Sequence, residues 1–68
     1  MAVETTYTVT GMTCGHCAAS VREEISEIGG VTAVDVNVET GAVTVTSDAD
    51  LTRDDVSAAV SEAGYTLA

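Results

Sequence analysis

Hydrophobic and polar positions alternate along this chain with two different periods, and the switches between them mark out six elements. In Thr5-Thr6-Tyr7-Thr8-Val9-Thr10, Tyr7 and Val9 alternate with threonines, the two-residue period of a half-buried strand. Residues 1–4 read as a frayed start, and Gly11 ends the strand. From about Cys17 to Ile28 the apolar Ala18, Val21, Ile25 and Ile28 recur three or four apart, while Arg22, Glu23, Glu24 and Glu27 fall on other faces. That spacing predicts an amphipathic helix. Gly29-Gly30 stops it, since glycine takes the left-handed position after a helix without penalty. Val31 opens a second strand with Val34, Val36 and Val38 on one face and Asp35 and Asn37 on the other. Glu39-Thr40-Gly41 is a turn, and Ala42 to Thr46 resumes the alternation with Val43 and Val45 inward, so the pair reads as a hairpin. Asp48-Ala49-Asp50 breaks the strand. Thr52 with Asp55 three residues on resembles a capping box, and Leu51 before it is placed to staple onto Val56. Val56, Ala59, Val60 and Ala63 form the second helical stripe, Gly64 closes it, and residues 65–68 suffice for a short last strand.

The order strand, helix, strand, strand, helix, strand, with no linker and no proline, predicts one α+β domain over residues 1–68. A ferredoxin-like βαββαβ sandwich, a four-stranded antiparallel sheet with two helices on one face, buries both helical stripes on the inward valines. The other sheet face is left to threonines and acids. A chain of 68 residues buries only about 60% of its unfolded surface. Hydrophobic residues make up 46% but aromatics only 3%, with no Phe or Trp, so the core is aliphatic. An enzymatic cleft of about 300–1,000 Å³ would hollow out so small an interior, which argues against an enzyme.

Charge sharpens the picture. Eleven acidic residues face two basic ones, Arg22 and Arg53, for a formal net charge of -9. That balance argues against DNA, RNA or anionic lipid as partners and effectively excludes nucleic acid. The plain reading of the acid is a solvated surface. Complete loss of lysine alongside abundant Asp, Glu, Thr, Ala and Val also resembles the proteins of halophiles, where a Debye length of about 3 Å screens self-repulsion. No signal peptide precedes the first strand, and no run of about 18 apolar residues is long enough to span a bilayer, so a cytoplasmic protein without membrane insertion is expected. There, paired cysteines are more often a metal or redox pair than a structural disulfide.

Both cysteines and the one histidine fall in Gly11-Met12-Thr13-Cys14-Gly15-His16-Cys17. A C-x-x-C pair that bridges a loop and the first turn of a helix brings two sulfurs within reach of one ion. The helix N-terminus favours the thiolate form. Two soft thiolates suit Cu(I), which accepts two-coordinate binding, whereas structural Zn(II) wants four ligands.

The loop resembles the GMTCxxC signature of heavy-metal-associated domains, the family of soluble copper chaperones and of the N-terminal metal domains of copper-transporting P-type ATPases. The likeness extends to the following helix, to Gly29-Gly30-Val31, to the Glu39-Thr40-Gly41 hairpin and to the closing Ala63-Gly64-Tyr65. It implies a ferredoxin-like fold, with Cys14 and Cys17 as Cu(I) ligands and Ag(I), Zn(II) or Hg(II) as other ions of interest. It implies that Met12 packs beneath the loop. Tyr65 matches the position where bacterial-type chaperones carry a tyrosine near the metal; an aromatic that only fills the end of the core is the competing reading. His16 is either an exposed imidazole or a third or bridging ligand when two domains share copper. Thr13, Gly15 and the small Ala18-Ala19 pair would let a partner approach closely.

The same residues admit a rival. Cys14-Gly15-His16-Cys17 is also a pattern of disulfide isomerases, but thioredoxin-like domains carry an aromatic before the first cysteine and a cis-proline facing the pair. Here Thr13 precedes Cys14 and there is no proline. The expected function is therefore a Cu(I) metallochaperone, not an enzyme, monomeric without metal, with a copper-bridged dimer open on loading. It would hand the ion to the metal-binding domain of a P-type ATPase or another C-x-x-C protein. A thiol-disulfide oxidoreductase and a zinc or other heavy-metal module are the alternatives.

Overall fold

Valine and threonine build the sheet, because β-branched side chains suit a pleated, half-buried surface. A computed structural model describes residues 2–13 and 15–68. Its elements are β1 (Val3–Thr10), α1 (Gly15–Ser26), β2 (Val31–Asn37), β3 (Ala42–Ser47), α2 (Arg53–Glu62) and β4 (Thr66–Leu67). The strands form one four-stranded sheet in the order β2-β3-β1-β4, and every neighbouring pair is antiparallel. This is the ferredoxin-like arrangement expected from the element order.

The register sorts the faces. Val43 lies opposite both Tyr7 and Val36, and Val45 opposite Thr5 and Val34, so these residues share the face that meets the helices. Val9, Val43 and Val45 are buried there with Val21 and Ile25 of α1 and Val56, Ala59 and Val60 of α2. Each of the valines and the isoleucine contributes about 1.5–3 kcal/mol when withdrawn from water, and the single methyl of Ala59 less. The opposite face carries Thr6, Thr8, Thr44 and Thr46; the Thr6 and Thr44 hydroxyls lie 3.2 Å apart.

Several boundaries differ from the sequence expectation. β1 begins at Val3, because Val3 pairs with Ser47 and Glu4 with Thr46; the start is not frayed from residue 3 onward. α1 begins and ends two residues earlier than its apolar stripe suggested. Glu27 N–H donates to Glu24 O (3.2 Å) and Ile28 N–H to Ile25 O (3.0 Å), the tightened i→i−3 bonds of an unwinding turn, yet Ile28 still packs on the core. β2 stops at Asn37 because its side-chain oxygen accepts the Glu39 and Thr40 N–H groups, at 3.0 and 3.4 Å. Val38 is thereby moved into the turn. β4 is only two residues long, with Tyr65 and Ala68 outside it. Ser47 continues the inward alternation of β3 and is 2% exposed, its hydroxyl donating to Ala49 O at 2.6 Å.

The cap of α2 is as expected on one side: Thr52 Oγ1 accepts the Asp55 N–H at 3.2 Å. Leu51 packs against the same core cluster as Val56. No helix among the described residues is long and apolar enough to cross a membrane.

Candidate metal centre

β1 delivers the cysteine segment from a fixed point. It is an interior strand, between β3 and β4, so its last residues are held from both sides. Val9 N–H donates to Gly41 O (2.8 Å) in the β2–β3 turn, and Ala68 N–H donates to Thr8 O (2.8 Å). The Thr10 hydroxyl donates to Thr66 O at 3.1 Å. The segment therefore leaves an end of the sheet where the hairpin turn and the α2–β4 connection also lie.

Beyond that point the residues sort by burial. Tyr65 lies over Gly11: a Cβ added to that glycine would sit 3.4 Å from Tyr65 Cδ1. The tyrosine thus packs where the segment begins, half-buried on the core. Met12 is half-buried and packs on the same cluster. Thr13 is exposed, and its hydroxyl lies 3.9 Å from Cys17 Sγ. Towards a thiolate that hydroxyl must be the donor, and hydrogen bonding to the charged form favours it. Cys14 lies outside the described residues.

Gly15 and His16 are the first two residues of α1 and both are exposed. His16 is thus a helix residue and not part of a loop. Cys17 is half-buried in the first turn. That turn carries no acidic residue, whereas the first turn of α2 carries Asp54 and Asp55. The positive end of the α1 dipole is therefore left uncompensated next to Cys17, and it stabilises negative charge there.

The acids of α1 are gathered in its second half. Glu24 is held above the usual carboxylate range, chiefly by the Glu27 carboxylate, then by desolvation and by Glu62 and Glu23. The repulsion is centred on Glu24, whose strongest neighbour, Glu27, lies three residues on in the turn just past the end of α1. Residues 15–21 of α1 carry no charge apart from any on His16. Among the described residues, no three His, Cys, Asp or Glu side chains gather in a way that could hold a metal ion.

Two features near the thiols were missed by sequence reasoning. One is the contact between Thr13 and Cys17, legible in hindsight as residues four apart across a helix start. The other is a groove between α1 and β2 lined by Arg22 and Asp35, thirteen positions apart, for which the sequence carries no signal.

Comparison with known proteins agrees with this geometry. The sequence model of the heavy-metal-associated domain matches residues 6–66. The chain is 42% identical over 64 residues to the copper chaperone CopZ of Bacillus subtilis (strain 168), covering 93% of each protein. It superposes on a solved CopZ metallochaperone with a TM-score of 0.89 at 34% identity, covering 97% of this chain and 100% of that one. It also matches a copper binding domain from HMA7, a P-type ATPase, with a TM-score of 0.88 at 26% identity, covering 100% and 92% of the two chains.

Proposed function

The chain belongs to the heavy-metal-associated domain family, and from that premise we propose that it is a copper chaperone, not an enzyme, carrying Cu(I) between Cys14 and Cys17 in the cytoplasm. The observation that carries this reading is the placement of Cys17. It sits in a first helical turn that carries no acidic residue, with a hydroxyl 3.9 Å from its sulfur. Those are the surroundings that favour a thiolate. The names of the relatives, copper chaperones and a copper binding domain of a P-type ATPase, support copper as the cargo and a copper ATPase domain or another C-x-x-C protein as the recipient.

The transfer proceeds by ligand exchange. A thiol of the recipient loses its proton to solvent and its sulfur bonds to Cu(I), giving a three-coordinate ion. One of the chain's own thiolates then leaves and is reprotonated. A second exchange completes the handover, and copper stays Cu(I) throughout. Met12 and Tyr65 fix the start of the cysteine segment, and Gly15 and Ala18 keep its flank low enough for the recipient's sulfur to reach the metal.

Anaerobic titration with Cu(I) and with Zn(II) against chelators of known affinity tests the reading, using a Cys14→Ser, Cys17→Ser double variant as control. Tight one-to-one Cu(I) binding that the double variant loses, with weak Zn(II) binding, is expected. Absent Cu(I) affinity combined with isomerase activity on a scrambled disulfide substrate would replace the chaperone with an oxidoreductase.

A further inference from the structure

A groove along one edge of the sheet carries opposite charges on its two walls. It runs between α1 and the edge strand β2, with a volume of about 150 Å³, and is lined by Gly15, Ala18, Ala19, Arg22, Asp35 and Val36. Three of the four helical residues are Gly or Ala, so that wall is backbone and methyl groups up to Arg22. Val36 adds an apolar side chain from the strand. The Arg22 guanidinium has no ion pair or hydrogen bond with any described residue. The Asp35 carboxylate lines the same groove and is likewise unpaired among the described residues. The two charges share one groove without closing on each other.

We propose that this groove binds a small α-amino acid as its zwitterion, with the carboxylate on Arg22 and the ammonium on Asp35. The inference is independent of the metal-transfer function above. Charge selects the guest first. A free anion meets Arg22 but is opposed by Asp35 beside it and by a chain of net charge -9, and a free cation is opposed by Arg22 in turn. A guest with both charges a few ångströms apart meets each with its opposite. Being neutral overall, it feels no long-range repulsion from the acidic surface.

Hydrogen bonding selects next. The planar fork of a guanidinium meets a carboxylate with two hydrogen bonds. An ionised Asp can only accept, so its guest must bring N–H donors, as a primary ammonium does. A quaternary ammonium brings none and is recognised by aromatic faces, and no aromatic residue lines the groove. Size selects last. The volume is half the ~300 Å³ at which pockets for larger small molecules begin, and the methyl groups of Ala18, Ala19 and Val36 suit a short apolar side chain such as that of alanine. Both charged residues are exposed, so each contact is weak and the pair holds its guest only in the millimolar range. Occupancy therefore follows the concentration of free amino acid.

NMR titration of the reduced, metal-free chain with L-alanine at fixed ionic strength tests the proposal. The amide signals of Ala18, Ala19 and Val36 and the side-chain N–H signal of Arg22 should shift and saturate, with a Kd of about 1–10 mM. Acetate and methylammonium each carry one half of the guest, lose one contact and meet one repulsion, so each should need at least about fivefold more for half-saturation. The same holds for N,N,N-trimethylglycine, which keeps both charges but has no N–H donor. These comparisons need no substitution. Arg22→Gln and Asp35→Asn, both at exposed positions, should each weaken alanine binding about three- to fivefold, and Ala19→Leu should weaken it by filling the groove. Shifts that stay linear in alanine, an affinity that acetate or N,N,N-trimethylglycine matches, or one that survives both charge substitutions overturns the proposal. The readout contains no metal, so its failure is separate from any failure of the chaperone reading.

Discussion

Replacing Gly41 with alanine should loosen the end of the sheet from which the cysteine segment departs, and two other glycines separate the causes. Gly41 has φ +78, and an added Cβ would lie 2.6 Å from the carbonyl oxygen of Val9. The same glycine donates to Asn37 O and accepts from Val9 N–H, both at 2.8 Å, so relief of the clash must break the pairing of β1 with the hairpin turn. Gly30 has φ +94 but meets nothing within 4 Å, and Gly29 has open space with no such backbone constraint. Gly29→Ala should gain about 0.4–1 kcal/mol by restricting the unfolded chain. Gly30→Ala should lose about 1–2 kcal/mol, the cost of a left-handed backbone for a residue with a Cβ. Gly41→Ala carries that cost plus a forced shift of packed strands worth about 1–3 kcal/mol, some 3 kcal/mol in all. Against a total near 0.1 kcal/mol per residue, about 7 kcal/mol for this length, that is a large loss. It corresponds to a Tm lowered by roughly 12–24 °C, at about 4–8 °C per kcal/mol. Urea unfolding followed by far-UV circular dichroism gives the three values directly. Cu(I) affinity, measured by chelator competition, should fall in Gly41→Ala and hold in Gly30→Ala, since Gly30 sits at the far end of α1. A Gly41→Ala variant no less stable than Gly30→Ala would refute the packing argument, and unchanged copper affinity would refute its link to the metal segment.

Thr52→Ala removes the hydroxyl that accepts the Asp55 N–H at 3.2 Å and should lower stability by about 1 kcal/mol, with Thr52→Ser restoring most of it in the same denaturation assay. Val60 is completely buried; Val60→Ala removes two methyl groups from a core with no aromatic at its centre and should cost about 2–3 kcal/mol, again read by urea unfolding. Glu24 has its carboxyl raised above 4.5 in the folded state by Glu27 first, so the folded chain binds more protons than the unfolded one. Its destabilising effect is absent below pH 4.5 and sets in as pH rises through that value and past the raised one. Glu24→Gln should therefore raise Tm at pH 7 in dilute buffer and leave it unchanged at pH 4, and the gain should vanish in molar KCl, where the Debye length is about 3 Å; an equal gain at both pH values would point to packing. Tyr65→Phe keeps the ring against Gly11 and should leave Tm unaltered while speeding copper loss to a competing chelator, if the hydroxyl shields the thiolates; an unaltered rate assigns Tyr65 to packing alone.

The sequence determined the element order, the hairpin, both helical stripes and the inward valines, because each is a local periodicity that survives in any compact arrangement. It also located the cysteine segment and the Thr52 cap, which depend on residues within four positions of one another. What it missed at the boundaries came from pairing across the sheet. Val3 and Glu4 are strand residues only because Ser47 and Thr46 lie opposite them, and β2 ends early because the Asn37 side chain turns back on its own backbone. Ser47 is in the core because the alternation of β3 continues under the helices, where polarity alone would have placed it outside. Tertiary structure alone decided that Tyr65 packs on Gly11 and that Glu62 of α2 adds to the repulsion at Glu24. It alone opened a groove between Arg22 and Asp35. These contacts join residues far apart in the chain, and their geometry depends on how the two helices settle on one sheet face, a property of the packed whole that no window of sequence contains.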